Sequence, residues 1–177
     1  MRLVDPFLME LEQESKSTRR VLERVPENKL AWKPHPKSFS MGQLALHVAR
    51  LPDTMAGLAM QDPFETPPVF NQAEATSRQE LLDVYEASLA GAREKLGKFD
   101  DPFMMATWHA TRNGIEVMAM PRIAMLRALM LNHWYHHRGQ LLVYLRMHEV
   151  PLPSCYGPTA DENPFDVGAG KPAMAAN

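Results

Sequence analysis

Apolar residues recur every three or four positions along most of the 177-residue chain, which is the spacing of a helix that buries one face. The first such stretch begins at Asp5-Pro6, where Asp is a favoured N-cap and Pro a favoured first helical residue. Pro26 ends it, because proline cannot continue a helix without the loss of a hydrogen bond. The face that this predicted helix buries consists of Leu8, Leu11, Ser15, Thr18, Leu22 and Val25.

Two further helices are predicted from capping boxes, in which a serine is followed three residues later by Gln or Glu. One box is Ser40 with Gln43, and the helix that it opens meets Pro52, which kinks or interrupts it. The other box is Ser77 with Glu80. Between these two helices lies a connector with several prolines, Pro63, Pro67 and Pro68. The apolar face of the third helix consists of Leu81, Leu82, Tyr85, Leu89 and Leu96.

The helical spacing is lost between residues 99 and 121. Two alternating segments, Thr107–Arg112 and Ile115–Met118, flank the dipeptide Asn113-Gly114. Asn-Gly favours a type I′ turn, so this region is predicted to form a short β-hairpin. Because two strands alone are only marginally stable, we expect the hairpin to rest on the helices.

The longest helix is predicted from Pro121 to about His148. Gly139 inside it lowers the stability of the helix by about 1 kcal/mol relative to alanine. We interpret its presence as a sign that a neighbouring helix approaches closely there. Four helices and one hairpin predict an all-α fold, a four-helix bundle with a short β-hairpin insert before the last long helix. The predicted domain is residues 1–167, and the tail, residues 168–177, is predicted to be disordered.

Composition and charge narrow the classes of function. A 177-residue chain that is 45% hydrophobic and 23% charged is typical of one globular domain. A net charge of −2 gives the chain no excess of basic residues, so nucleic acid is not an expected partner. Arg127 and His133 interrupt the most apolar stretch, Ile123–Tyr144, so no membrane span is expected. The early Asp5 argues against a signal peptide, and the single cysteine, Cys155, excludes an intrachain disulfide, so we expect a cytoplasmic protein.

The candidate chemistry lies in the longest predicted helix, where His133, His136 and His137 fall within five residues. His133 and His137 are four residues apart, which places them on one helix face with Cβ atoms about 5–6 Å apart. Both imidazoles can bind one metal ion at that separation. His136 is three residues from His133 and competes with His137, and periodicity alone does not decide between them. His47, in the second predicted helix, would be a third ligand, and three ligands leave one position of the metal open.

Gln140 and Arg138 are the candidate catalytic residues beside these histidines. Gln140 lies three residues beyond His137 on nearly the same face, where it can orient a ligand or hold a substrate. Arg138 can contact a substrate or form a structural ion pair. The sequence has no Gly-rich phosphate loop, nucleophile elbow or paired-carboxylate motif, so it favours a metal site.

Several short blocks, in order along the chain, resemble the DinB-like superfamily of metal-dependent proteins over about residues 18–162. The resemblance implies a four-helix bundle that forms a homodimer and binds a divalent metal, commonly nickel or zinc. It implies His47, His133 and His137 as the ligands, because the second of the family's two adjacent histidines binds the metal. The matching blocks are Leu30–Ser38, the segment around His47, Met120–Arg122, Asn132–Arg146, Val150-Pro151, Tyr156–Pro158 and Asp161-Glu162.

Relatives within this superfamily include bacillithiol S-transferases and a mycothiol-dependent isomerase. The resemblance therefore implies a thiol S-transferase-like enzyme whose open metal position activates a low-molecular-weight thiol towards an electrophilic small molecule. Two alternatives keep the same metal site. One is a metal-dependent hydrolase that uses metal-bound water. The other is a non-catalytic dimeric binding protein that the metal stabilises.

Overall fold

The computed structural model describes residues 1–166, and more than half of them lie in helices. The disordered tail predicted for residues 168–177 lies outside the described residues. In chain order the helices are α1 (Asp5–Leu22), α2 (Met41–Leu58), α3 (Arg78–Gly97), α4 (Asp101–Met105), α5 (Arg122–Met125) and α6 (His133–Arg146), with a 3₁₀ turn at Glu27–Lys29 and a π-helix at Leu126–Asn132. The strands are β1 (Phe64–Glu65), β2 (Thr107–Arg112) and β3 (Ile115–Pro121).

The first helix begins one residue earlier than predicted. Its N-cap is Val4, which already has a helical backbone and whose side chain caps nothing. Asp5 is therefore the first helical residue, and the prediction of Asp5 as the N-cap is wrong. The Asp5 carboxylate instead accepts hydrogen bonds from the backbone N–H (2.7 Å) and Nε (3.0 Å) of Arg2. A negative charge in the first turn also interacts favourably with the helix dipole.

The two predicted capping serines both cap helices, but in different ways. At the start of α2, Ser40 Oγ accepts from the Gln43 backbone N–H at 3.1 Å, and Gln43 Oε1 accepts from the Ser40 N–H at 2.9 Å. At the start of α3, Ser77 Oγ accepts from the Glu80 N–H at 3.0 Å. The Glu80 carboxylate, however, accepts from the Thr76 N–H at 2.7 Å. The second capping box is therefore only half formed.

The predicted hairpin is confirmed, and it belongs to a larger sheet. Asn113 and Gly114 have φ values of 53° and 72°, the left-handed pair that a type I′ turn requires. The third strand, β1, pairs parallel to β2 with Phe64 opposite Ala110, which gives the order β1-β2-β3. The sequence did not predict β1, because two residues are too few to show an alternating pattern.

The longest predicted helix is present from Arg122 to Arg146, but it is not uniform. Its middle part, Leu126–Asn132, is a π-helix, in which the backbone hydrogen bonds span five residues and not four. The wider turn changes the register of the side chains immediately before His133. π-Helical segments occur often at functional sites.

The close helix approach predicted at Gly139 is absent, and a different helical glycine has a side chain beside it. A Cβ atom at Gly139 would meet no neighbouring atom within 4 Å, so the predicted close approach there is wrong. A Cβ atom at Gly91 in α3 would lie 2.2 Å from Oδ1 of Asp53 in α2. The atom at this position is the end of a flexible side chain, so Gly91 leaves room for the Asp53 carboxylate.

The helices share one hydrophobic core. Helix α2 packs against α3 and α6, and α1 packs against the same two helices. Two large aromatic side chains of this core, Trp134 and Tyr85, are fully buried. The described residues form a mostly helical protein with a small three-stranded sheet, so the all-α prediction was too narrow. None of the described helices is long and apolar enough to cross a membrane.

Candidate metal centre

Three histidines from two helices converge in one cluster. Nε2 of His133 on α6 lies 3.5 Å from Nε2 of His47 on α2 and 2.7 Å from Nε2 of His137. One ring nitrogen of each residue lies within 4.8 Å of the other two. His136 is exposed and lies outside the cluster. The structure therefore brings together the three histidines named as ligands.

The outer ring nitrogens of the two α6 histidines face hydrogen-bond acceptors. Nδ1 of His133 lies 3.3 Å from the carbonyl oxygen of Leu129, and Nδ1 of His137 lies 2.8 Å from Oε1 of Gln140. A protonated Nδ1 donates to these oxygens and leaves the lone pair of Nε2 directed into the cluster. That is the tautomer that a metal ligand requires.

The π-helix explains why the Leu129 carbonyl is available to the imidazole. In an α-helix this carbonyl would accept from the backbone N–H of His133, four residues later. At the end of the π-helix, the His133 N–H donates to the carbonyls of Ala128 and Met130 instead. The backbone irregularity therefore supplies the acceptor that orients the His133 ring.

Burial favours the neutral form of all three imidazoles. Removal from water penalises a cation and is the largest cause that lowers the pKa of each ring. The pKa of His47 falls to about 4, because the charges of His137 and His133 add to the effect of burial. The pKa values of His133 and His137 are also lowered. Near neutral pH, each ring therefore keeps a lone pair that can bind a metal.

A proline in α2 creates connections between this helix and its neighbours. Pro52 has no N–H, so it cannot donate to the carbonyl of Val48, four residues earlier. The following N–H, that of Asp53, donates to Oγ of Ser88 on α3 at 3.2 Å, and this hydroxyl donates to the carbonyl of Arg50 at 3.2 Å. Because a neighbouring helix completes these hydrogen bonds, α2 continues through Pro52. Pro52 was predicted to kink or to interrupt the helix, and the prediction of an interruption is wrong.

An apolar pocket of about 380 Å³ opens onto the histidine cluster. His47, His133 and His137 form its polar end. The walls come from the loop before α2, from α2 itself, from the segment after it and from all three strands. The apolar residues that form most of these walls include Phe39, Met55, Leu58, Phe64, Phe70 and Trp108.

Two buried side chains attach the sheet to the end of α2. Trp108 of β2 donates from Nε1 to the carbonyl of Leu58 at 3.0 Å. Arg122 donates from Nε to the carbonyl of Ala59 at 2.9 Å and from Nη2 to the carboxylate of Asp62 at 2.7 Å. These contacts fix the strands that form one wall of the pocket.

The two candidate catalytic residues lie in different surroundings. Gln140 is exposed and contacts His137, as described above. Arg138 is 1% exposed, and its Nη2 lies 2.6 Å from Oε2 of Glu14 on α1. Its Nη1 donates to Oγ1 of Thr18 at 2.9 Å, and it does not line the pocket. This placement favours the structural ion pair over contact with a substrate.

The aromatic walls of the pocket were not identified from the sequence. Phe64 and Phe70 lie in the proline-containing connector, where isolated aromatic residues among polar ones were the available signal. Trp108 and Ala110 alternate along β2 and face the pocket, so the period of the strand was a second signal. Neither signal says which helix the residues contact.

The donor set fits a divalent metal. Neutral imidazoles suit zinc, nickel, copper and iron. Two nitrogen ligands at about 2.0–2.1 Å from a tetrahedral zinc ion are separated by about 3.3 Å. The distance of 3.5 Å between His47 and His133 is close to this value, and the distance of 2.7 Å between His133 and His137 would have to open by about 0.6 Å.

These observations define a class: a mostly helical protein with a three-histidine cluster at the end of an apolar pocket. The sequence model of the DinB family matches residues 2–164, and the chain belongs to this family.

Similar proteins agree with this membership. The uncharacterised protein YrdA of Bacillus subtilis (strain 168) is 27% identical over 165 residues, which span 90% of this chain and 91% of YrdA. A crystal structure of a DinB-like protein from Bacillus cereus superposes with a TM-score of 0.64 at 24% identity and covers 85% of this chain and 95% of that one. The DinB-like protein YjoA of Bacillus subtilis gives a TM-score of 0.64 at 20% identity, with coverage of 85% and 98%. At these identities the two solved structures show a shared fold alone.

Proposed function

We propose that this protein is a divalent-metal-dependent enzyme of the thiol S-transferase type, with His47, His133 and His137 as the metal ligands. The observation that carries the proposal is the position of three half-buried imidazoles at the end of an apolar pocket. Three protein ligands leave a position for an atom of a substrate. The pocket has a volume suited to a small molecule and leads to that position.

A nickel or zinc ion bound there would lower the pKa of a thiol, so that the nucleophilic thiolate is present near neutral pH. In the transfer, the sulfur forms a bond to an electrophilic carbon, the leaving group departs with the bonding electrons, and the thiol proton passes to water. The imidazoles bind in the neutral form, because burial lowers their pKa values. Gln140 holds His137 in the required tautomer. The apolar walls limit the access of water.

The lining of the pocket supports thiol chemistry over hydrolysis. Metal-dependent hydrolases such as the zinc proteases use a glutamate as the general base beside the metal. Among the described residues, no carboxylate lines this pocket. A thiol does not need such a base, because its ordinary pKa of about 8.5 is already close to neutral pH.

The proposal also concerns the assembly and location of the protein. It takes the chain to be a four-helix-bundle domain in a cytoplasmic homodimer that acts on a small molecule, with a low-molecular-weight thiol as cosubstrate. Light scattering coupled to size-exclusion chromatography tests the dimer. A particle of twice the chain mass supports it, and a particle of one chain mass contradicts it.

The central experiment is elemental mass spectrometry on untagged protein, combined with an assay of thiol consumption by an electrophile. We expect about one nickel or zinc ion per chain in the wild type and almost none in His133→Ala, with loss of turnover. His136→Ala is the matched control, because its ring lies outside the cluster, and it should keep both metal and turnover. Stoichiometric metal in His133→Ala contradicts the proposed ligands. Hydrolysis of esters without added thiol, or metal-dependent stability without any turnover, would identify one of the two alternatives instead.

A further inference from the structure

We infer that the molecule that fills the pocket and reaches the histidines is uncharged, with an apolar body of one or two aromatic rings. This inference rests on the proposed function, because it takes the histidine end of the pocket as the reactive end. It adds a substrate class that neither the histidine cluster nor family membership specifies.

The size of the pocket sets the size of the occupant. An apolar cavity of about 150 Å³ is large enough to hold benzene. The volume of about 380 Å³ found here therefore accommodates one or two rings with a short substituent.

The walls of the pocket are suited to flat apolar groups. Phe64 of β1 and Trp108 of β2 stack with their ring centroids 6.3 Å apart and their planes inclined by 17°. Phe39 approaches His47 from the loop before α2, with the ring centroids 6.2 Å apart in an edge-to-face arrangement. Aromatic side chains contribute large apolar contact areas and favour ring-shaped partners. Met55 adds a flexible side chain that adapts to the shape of a ligand.

Most polar groups beside these walls are already bonded within the protein. The Trp108 indole N–H donates to the carbonyls of Leu58 and Gln61 at 3.0 and 2.8 Å. The Thr66 hydroxyl donates to the carbonyl of Thr111 at 2.9 Å. These groups therefore have no free donor for a substrate.

The remaining polar lining lies close to the histidines. The backbone carbonyl of Gln72 accepts from Nε2 of Gln43 at 3.1 Å, and Gln43 lies one helical turn before His47 in α2. Polar recognition is therefore confined to the histidine end of the pocket. An occupant needs a polar atom at that end only.

No side chain with a full charge lines the pocket among the described residues. Nearby charged groups already form hydrogen bonds within the protein. The Glu65 carboxylate accepts from the Thr111 hydroxyl, and Arg112 contacts the carbonyl of Pro68. A carboxylate on the body of a ligand would lose its hydration without gaining a partner. The pocket therefore discriminates against anionic ligands, including thiols that carry carboxylates.

The test compares two thiols that differ in charge and by one ester methyl group, methyl 4-(mercaptomethyl)benzoate and its free acid. Each is titrated into the cobalt-loaded full-length protein, and the sulfur-to-cobalt charge-transfer band reports binding. We expect the neutral ester to bind at least tenfold more tightly than the acid. Equal affinities for the two thiols would overturn the inference.

A lysine at the pocket wall should weaken this discrimination. Val117 lines the pocket and is 55% exposed, so Val117→Lys should fold and should lower the ester-to-acid ratio at least threefold. Ile115→Lys is the matched control on the same strand, because Ile115 is 70% exposed and does not line the pocket. The control should keep the wild-type ratio. Equal ratios in the two variants would contradict the role assigned to the pocket.

A second measurement separates failure of the inference from failure of the proposed function. Without metal, quenching of tryptophan fluorescence by methyl 4-methylbenzoate and by 4-methylbenzoate tests the pocket alone. If no charge-transfer band forms with either thiol but the ester still binds preferentially, the proposal that thiols bind the metal is contradicted and the inferred ligand class is supported. If the band forms with both thiols at equal affinity, the inferred ligand class is contradicted and the proposed metal site is supported.

Discussion

The indole N–H of Trp134 donates a hydrogen bond of 3.0 Å to the carbonyl oxygen of Val48. This carbonyl is the one that Pro52 leaves without its backbone donor. Trp134 follows His133 in α6, and Val48 follows His47 in α2. One hydrogen bond therefore joins the residues next to two proposed metal ligands. We infer that it fixes the separation of the two helices at the histidine cluster.

Removal of the donor tests this role. Trp134→Phe keeps an aromatic ring in the core but leaves the Val48 carbonyl unsatisfied, which should cost about 1–3 kcal/mol of stability. The helices can then separate at the histidines, so we expect the metal dissociation constant to rise about tenfold or more. Urea unfolding measures the first effect, and competition with a chelator measures the second.

Two variants serve as controls for this prediction. Tyr85→Phe removes another buried hydrogen bond, 2.7 Å from the hydroxyl to the carbonyl of Ser15, and should lower stability without an effect on metal affinity. Pro52→Ala in the Trp134→Phe background gives the Val48 carbonyl a backbone donor again and should recover part of the stability. Unchanged metal affinity in Trp134→Phe would contradict the proposed role.

Gln140 should influence metal binding through His137. Gln140→Leu removes the acceptor 2.8 Å from His137 Nδ1, so the ring loses the partner that sets its tautomer. Loss of such a partner weakens metal binding about 10–100-fold. The control is Gln79→Leu, an exposed glutamine of α3 whose amide contacts Asp83 at 2.8 Å. Isothermal titration with zinc measures both variants, and equal affinities would show that Gln140 has no such role.

Arg138 should affect stability and not metal binding. Arg138→Met leaves the Glu14 carboxylate buried without its ion-pair partner, which should cost about 3–5 kcal/mol. The double variant Arg138→Met/Glu14→Leu should recover most of this loss, because no charge is then buried unpaired. The metal content of both should match the wild type. Lost turnover in a fully stable, fully metallated Arg138→Met protein would instead assign Arg138 to catalysis.

The Glu10 carboxylate makes stability depend on acid pH. Hydrogen bonds from Arg127, and then from Tyr135, lower its pKa below the ordinary 4.5. Because the folded state favours the charged form, this contribution is fully present above pH 4.5 and is lost as the pH falls through the lowered pKa. Urea midpoints between pH 6 and pH 3 should therefore fall more steeply for the wild type than for Glu10→Gln. Parallel curves for the two proteins would contradict the prediction.

The parts of the fold that follow from local spacing were predictable. The serine at Ser40 and the dipeptide Asn113-Gly114 specify their structures through contacts with residues only a few positions away. The spacing of His133 and His137 depends only on the pitch of a helix. Local spacing also gave a wrong prediction at the start of α1, because Asp5 is a favoured N-cap residue but Val4 occupies the N-cap position.

The features that were missed depend on partners distant in the sequence. Strand β1 exists because Phe64 pairs beside Ala110, and the pocket exists because Trp108 is bonded to the end of α2. The role of Pro52 could not be predicted from the sequence of α2 alone. The Asp53 N–H donates to Ser88 of α3, and the Val48 carbonyl accepts from Trp134 of α6, so both hydrogen-bond partners come from other helices.

The sequence by itself determined the four long helical segments, the hairpin turn and, with the family resemblance, three histidines able to bind one metal. Only the tertiary structure decided what lies beside that cluster: an apolar pocket without charged lining among the described residues, and an arginine directed away from it. The physical reason is that periodicity assigns a residue to a face of its own element. The packing of separate elements decides what that face meets, and packing depends on the shapes and hydrogen-bonding groups of all of them together.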